Sequence, residues 1–203
     1  MQKQAPFTSE AALPLVLAST SPYRRELLQR LALPFSVASP EVDETPLAGE
    51  TAHATSLRLA MAKAQVLRER FPAHLLIGSD QVALLDGVQL GKPGTHERAV
   101  AQLQLMRGRT IEFHTALALH NSQSGNTQTH VDITRVVMRD YDDATIERYL
   151  RHEQPYNCAG SAKTEGLGVV LIARIDNSDP TAIIGLPMIA LSTMLMNEGV
   201  QLV

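Results

Sequence analysis

Residues 15–31, Leu-Val-Leu-Ala-Ser-Thr-Ser-Pro-Tyr-Arg-Arg-Glu-Leu-Leu-Gln-Arg-Leu, constrain the chain most, because they run a strand straight into a helix. Leu15 to Ala18 read as a short buried strand. Ser21 is a good N-cap, and Pro22 at the first helical position gives up an N–H that would have no intrahelical partner. Leu27, Leu28 and Leu31 then recur at helical spacing. Ser19, Thr20 and Ser21 line the turn, with Arg24 and Arg25 just inside the helix. Free backbone N–H groups, the positive end of the helix dipole and guanidinium charge converge there, as a phosphate site requires. A solvated arginine pair at an ordinary helix start fits the same residues.

The rest of the chain mixes both periodicities. Phe35 to Ala38 suggest a second short strand, followed by an acidic loop, Ser-Pro-Glu-Val-Asp-Glu-Thr-Pro. Residues 51–70 predict a helix stopped by Pro72, with Leu57, Ala60, Ala64 and Leu67 on one face and Lys63 bordering it. Leu75 to Ile77 predict a buried strand ending in Gly78-Ser79-Asp80-Gln81. Val82 to Leu85 can extend it, before an Asp86-Gly87 hairpin turn into residues 88–90. A helix over 97–106 precedes two long strands, 110–120 and 127–138, joined around Ser124-Gly125-Asn126. Asp142 or Asp143 caps a helix running through Leu150. Residues 167–175 read as a buried strand, and an apolar helix follows Gly185-Leu186-Pro187. Parallel-type and hairpin connections together predict an α/β class with a mixed sheet.

At 203 residues the chain can form one substantial domain or two tightly packed lobes. Its 44% hydrophobic and 19% charged residues suit a globular protein. A net charge of −3 argues against duplex nucleic acid as a partner. An anionic substrate then needs locally placed cations or a metal ion. One cysteine, Cys158, excludes an internal disulfide, as a reducing cytoplasm allows. No apolar stretch approaches the roughly 20 residues of a membrane span. Residues 1–13 are expected to be an exposed tail, with a single domain over 14–203.

Asp80 is the best catalytic candidate, at the end of an apolar strand where α/β folds open their crevices. A carboxylate there can hold a divalent metal, accept a proton from water, or simply cap a turn. Pro93 restricts Lys92 in Gly91-Lys92-Pro93, which can aim an ammonium into a cleft or form an ordinary turn. Lys63 either snorkels to water or faces a site. Asp43 and Glu44 offer metal ligands or a solvated pair. The seven histidines show no metal-ligand spacing and receive no role. Cys158 needs a nearby base to be a nucleophile and otherwise packs as a small buried residue. Neither a Walker A loop nor a Rossmann glycine fingerprint is present.

Taken in order, these segments resemble the Maf family. The match rests on 17–28, Val42-Asp43-Glu44, Ala60-x-x-Lys63-Ala64, Ile77-Gly78-Ser79-Asp80-Gln81, Gly91-Lys92-Pro93, Cys158-Ala-Gly-Ser161, Glu165-Gly-Leu-Gly168 and Gly185-Leu-Pro187. The family was named for septum formation inhibition, and many members are nucleoside triphosphate pyrophosphatases. The resemblance implies an elongated mixed α/β fold, similar to inosine triphosphate pyrophosphatases, with two lobes around a cleft. It implies Asp80 as the active-site acid, and Ser19, Arg24, Lys63 and Lys92 on the polyphosphate. Glu44 joins Asp80 at a divalent cation, Mg²⁺ or Mn²⁺. Arg25 falls at a variable position.

Tyr23, Gln81 and Glu165 stand where the branch acting on dTTP and UTP has Arg, Thr and Gln. They make the chain similar to the branch associated with 7-methyl-GTP, whose usual Trp is here Tyr23. The expected reaction splits a nucleoside triphosphate into monophosphate and diphosphate in the cytoplasm. The resemblance also implies a homodimer. The alternatives are a pyrophosphatase that is broad or prefers dTTP and UTP, and a nucleotide-binding regulator of cell division.

Overall fold

The computed structural model describes residues 13–202. The expected tail therefore lies outside the described residues except for Leu13, which packs half-buried against the core. The first strand, β1 (Leu15–Ala18), runs into α1 (Pro22–Gln29) through the expected junction. Ser21 caps α1 by accepting from the Arg24 N–H, and the helix opens on Pro22. β2 (Phe35–Ala38) then pairs parallel to β1.

Helix α2 (Ala52–Gln65) is capped by Thr51 and ends five residues before the expected end at residue 70. Beyond Gln65 the chain tightens into turns, with Arg68 N–H donating three residues back to Gln65 O. These turns still bury Leu67 and carry the chain to Pro72.

β3 (Leu75–Leu85) is one continuous strand, which corrects the placement of Asp80 at a strand end. It pairs with β1 only over 75–77 and with β4 (Val88–Leu90) only over 83–85. Along its other edge β5 (Thr110–Asn121) pairs without a break. Residues 78–82 therefore face a gap where β1 has ended and β4 has not begun. The crevice opens at the carboxyl end of β1, and β3 runs through its floor.

Helix α3 (His96–Met106) lies between β4 and β5, and β6 (Thr127–Met138) completes the expected hairpin with β5. Helix α4 (Asp143–Glu153) extends one turn past Leu150 and ends on Gln154 in the left-handed region, φ +47°, just before Pro155. Of the two candidate caps the structure selects Asp142, whose side chain accepts from Thr145 N–H at 2.8 Å. Hydrogen bonds from the Thr145 hydroxyl and, next, from its N–H hold the Asp142 carboxyl below its ordinary value. Its stabilisation is therefore present above the ordinary aspartate range and is lost as pH falls through the folded-state value. Asp142→Ala is expected to lower the urea midpoint at neutral pH, and its deficit against wild type should shrink in acid. A deficit independent of pH would assign the effect to something other than the ionised cap.

The expected buried strand over 167–175 is also corrected. Leu167–Leu171 coil as a 3₁₀ turn, and only Ile172–Asp176 form a strand, β7, at the edge of the sheet. Ile172 is its one buried residue. Val169 and Val170 are exposed, so the apolar run does not mark a core strand. The chain closes with α5 (Met188–Asn197), the expected apolar helix.

The sheet order is β2-β1-β3-β5-β6-β7, with β4 beside β3. Three apolar clusters organise it. One joins α2 to Val16, Ala18, Leu76, Ala116 and Ala118 on one face. On the opposite face, α1 and α5 cover Leu15, Leu17, Ile77, Leu117 and Leu119. The third gathers α3, α4 and the far ends of β3, β5 and β6. The first two clusters form one lobe and the third the other, and the gap beside residues 78–82 lies between them.

Candidate active site

The cleft between the lobes encloses about 550 Å³, and nine residues nominated from the sequence line it: Ser19, Tyr23, Arg24, Glu44, Lys63, Asp80, Gln81, Lys92 and Glu165. Six separate segments converge there because the gap in the sheet edge opens to both faces. Alternation along β3 sends Asp80 toward α2, and Ser79 and Gln81 toward the opposite face.

On the α2 face, Lys63 is the central group. Its side chain shares the buried face of Ala60 and Ala64, and Lys63 is only 6% exposed. The ammonium does not snorkel to water. It lies 2.7 Å from Asp80 Oδ1 and 2.6 Å from Glu44 Oε1, joining the two carboxylates. Burial pushes the Asp80 carboxyl above the ordinary aspartate value, while Lys63 and Arg24 oppose that rise. The Lys63 hydrogen bond holds Glu44 below the ordinary glutamate value. Asp43 turns away and accepts from Thr45 N–H at 2.9 Å.

The helix can approach so closely because residue 78 is glycine. A Cβ there would sit 2.1 Å from Ala60 O and 2.7 Å from Ala64 N. Gly78 thus sets the spacing that places Lys63 against Asp80.

On the other face, Arg24 donates through Nε to Gly185 O at 2.8 Å, and its Nη1 lies 3.4 Å from Ser19 Oγ. Desolvation lowers the guanidinium below the usual arginine value, while Asp80 and Glu44 pull it back up. Arg25 is exposed, as its variable position implied. Sequence reasoning misses buried Ser79 as a supporting residue. Its hydroxyl lies 2.8 Å from both Gly185 O and Ala116 O, tying the carbonyl that orients Arg24 to the sheet. The motif Ile-Gly-Ser-Asp-Gln contained that signal, but not the partner 106 residues away.

Gln81 is more engaged than the sequence indicated. Its side-chain NH₂ meets Thr115 Oγ1 at 2.8 Å and the Ala182 and Ile183 carbonyls at 3.1 Å. Two carbonyls accept only, so they orient the amide with nitrogen toward them. The Gln81 amide therefore braces the segment leading to Gly185.

The far lobe supplies Lys92 and Glu165, both exposed at the cleft mouth. Tyr23 stands opposite, with the Lys163 ammonium 5.8 Å from its ring centre. No motif points to Lys163; its one signal is a position two residues before the nominated Glu165. Cys158 is a half-buried cleft residue rather than core packing. Burial and Glu165 push its thiol pKa up, which opposes thiolate chemistry. None of the seven histidines lines the cleft.

Among the described residues no group of three His, Cys, Asp or Glu converges on a metal position. The donor chemistry here is a carboxylate pair in which Lys63 takes one oxygen of each. The second oxygens remain as hard donors. That set fits a cation which completes its shell with water and substrate phosphate, as Mg²⁺ commonly does.

A family model described as "Maf-like protein" matches residues 14–198. A protein of Polaromonas sp. strain JS666 named "7-methyl-GTP pyrophosphatase" is 60% identical over 189 residues, covering 93% of this chain and 86% of that one. The namesake from Burkholderia thailandensis is 60% identical over 191 residues, covering 93% and 89% of the two chains. That from Methylobacillus flagellatus is 57% identical over 190 residues, covering 94% and 99%.

Proposed function

The chain belongs to the Maf-like protein family, and from that premise we propose that it hydrolyses 7-methyl-GTP to 7-methyl-GMP and diphosphate. The observation that carries this reading is the cation set of the cleft facing one buried carboxylate. Arg24, Lys63 and Lys92 stand around Asp80, which burial keeps more basic than an exposed aspartate.

A triphosphate repels an incoming nucleophile, so its charge must be compensated before attack at the α-phosphorus. Arg24 and Lys92 bind phosphate oxygens from opposite sides of the cleft, and Lys63 reaches them beside Asp80. Asp80 orients the attacking water and, to the extent that metal does not ligate it tightly, accepts its proton, and the cations stabilise the departing diphosphate. The three cations, set against Asp80 and Glu44, compensate less charge than a triphosphate carries. A divalent cation, Mg²⁺ or Mn²⁺, held by Asp80 and Glu44 would supply the remainder as a Lewis acid on phosphate oxygens.

At the base end, the face of Tyr23 suits a 7-methylated guanine, whose ring carries a delocalised positive charge. Glu165 accepts from guanine N1–H and N2–H and balances that charge. The single cysteine and the small nucleotide substrate favour the cytoplasm as its place of work. Among the described residues no helix is long and apolar enough to cross a membrane.

The test is a panel of 7-methyl-GTP, GTP, dTTP and UTP with Mg²⁺, scored by diphosphate release. The highest kcat/KM is expected on 7-methyl-GTP, and equal or better turnover of UTP or dTTP overturns the assignment. Glu165→Gln keeps one acceptor and loses the charge. It should lower the ratio of 7-methyl-GTP to UTP turnover by roughly ten-fold, the scale of a charge-assisted hydrogen bond. An unchanged ratio removes Glu165 from base selection.

A further inference from the structure

Behind the base end of the cleft lies an ion pair that none of these roles uses. The Lys163 ammonium lies 2.5 Å from Glu153 Oε1, and their side chains are only 26% and 12% exposed. The same carboxylate accepts Leu167 N–H through Oε2 at 2.8 Å. Lys163 is anchored through its backbone as well. Its N–H donates to buried Tyr149 OH at 3.0 Å, and its carbonyl accepts from Gly166 and Gly168 N–H. Glycine is required at Gly168, where a Cβ would strike backbone, while a Cβ on Gly166 would press on the flexible end of Glu153. A Cβ on Gly166 would come within 2.8–3.0 Å of the Glu153 carboxyl, and one on Gly168 within 2.4 Å of Lys163 O. This tight loop carries Glu165 into the cleft.

We propose that Glu153 and Lys163 are positioning residues that set the discrimination between a cationic and a neutral purine. The inference rests on the base-site reading above. Lys163 holds its charge over the Tyr23 ring, and Glu153 neutralises that charge at contact distance. Glu165 is then the uncompensated charge that a cationic base meets. Without Glu153, the Lys163 ammonium would compete for the Tyr23 ring and repel a positively charged base. Without Lys163, Glu153 would add a second negative charge behind the site. A neutral guanine responds much less to either change, so the ratio of affinities isolates the charge effect from loop geometry.

The experiment is calorimetric titration of 7-methyl-GMP and GMP into the intact protein, at a pH where the methylated base retains N1–H and its charge. Glu153→Gln keeps an acceptor for Leu167 N–H, and is expected to lower the preference for 7-methyl-GMP on the order of five-fold. Lys163→Met should raise that preference by a similar factor, and the double variant should return it near the wild-type value. A purely structural role weakens both nucleotides together and leaves the ratio unmoved, which overturns the inference. Ratios that shift the same way in both single variants overturn it too. If wild type discriminates and the variants do not alter the ratio, only this inference fails. If wild type binds both nucleotides alike, the base-site reading fails with it.

Discussion

Asp80→Asn should abolish diphosphate release, with kcat falling about a thousand-fold, while nucleotide still binds. The size follows from removing a group that accepts a proton in the transition state. Asparagine has nearly the same shape and can still accept from Lys63 through its amide oxygen. Lys63 keeps its contact with Glu44, so the cation set survives. Measured without divalent cation, affinity for the triphosphate should hold or improve, because one negative charge has left the cleft. Steady-state kinetics paired with direct binding separates the two effects. Turnover within ten-fold of wild type would take Asp80 out of the mechanism. A chain that binds nucleotide as a regulator, with no important catalysis, would bind these nucleotides yet release no diphosphate even as wild type.

The second large effect is on folding. Gly78→Ala adds one methyl group where none fits, 2.1 Å from the Ala60 carbonyl oxygen and 2.7 Å from Ala64 N. Both neighbours are backbone of α2, so no side chain can rotate away. Helix and strand must separate, opening the Ala60, Ala64, Leu76 and Ala118 cluster. Overpacking of this kind typically costs about 1–3 kcal/mol, and backbone against backbone places this case at or above the upper end. Lys63 immediately precedes Ala64, so the same shift draws its ammonium away from Asp80. Activity of the folded fraction should therefore fall as well. Gly87→Ala is the control, since Gly87 has φ +80° and an added methyl group there would meet nothing within 4 Å. It should cost only about 1 kcal/mol of backbone strain. Equal urea midpoints for the two variants would show that close approach of α2 is not what Gly78 provides.

Legibility followed the range of the interaction. The strand-to-helix junction at Ser21-Pro22, the hairpin of β5 and β6 and the closing apolar helix were readable because caps, turn residues and periodicity act within a few residues. The continuous β3 was harder. Gly78-Ser79-Asp80-Gln81 has the composition of a strand end, yet uninterrupted pairing with β5 carries the strand through it. The valines at 169 and 170 misled in the opposite sense. Glu153 and the glycines beside Lys163 bend that apolar stretch into a 3₁₀ turn at the surface.

By itself the sequence determined the α/β class, the family resemblance and nine residues that meet in one cleft, because motif order and local periodicity are properties of the chain. Only the tertiary structure decided how those residues are partnered. Lys63 could be solvated or buried until α2 lay on β3, and Gly78 allows that contact. Gln81 acquired its bracing role, and Glu153 and Lys163 their place behind Tyr23, from contacts across folded segments. Burial and ion pairing depend on which surfaces meet, and here the gap between β1 and β4 decides which surfaces do.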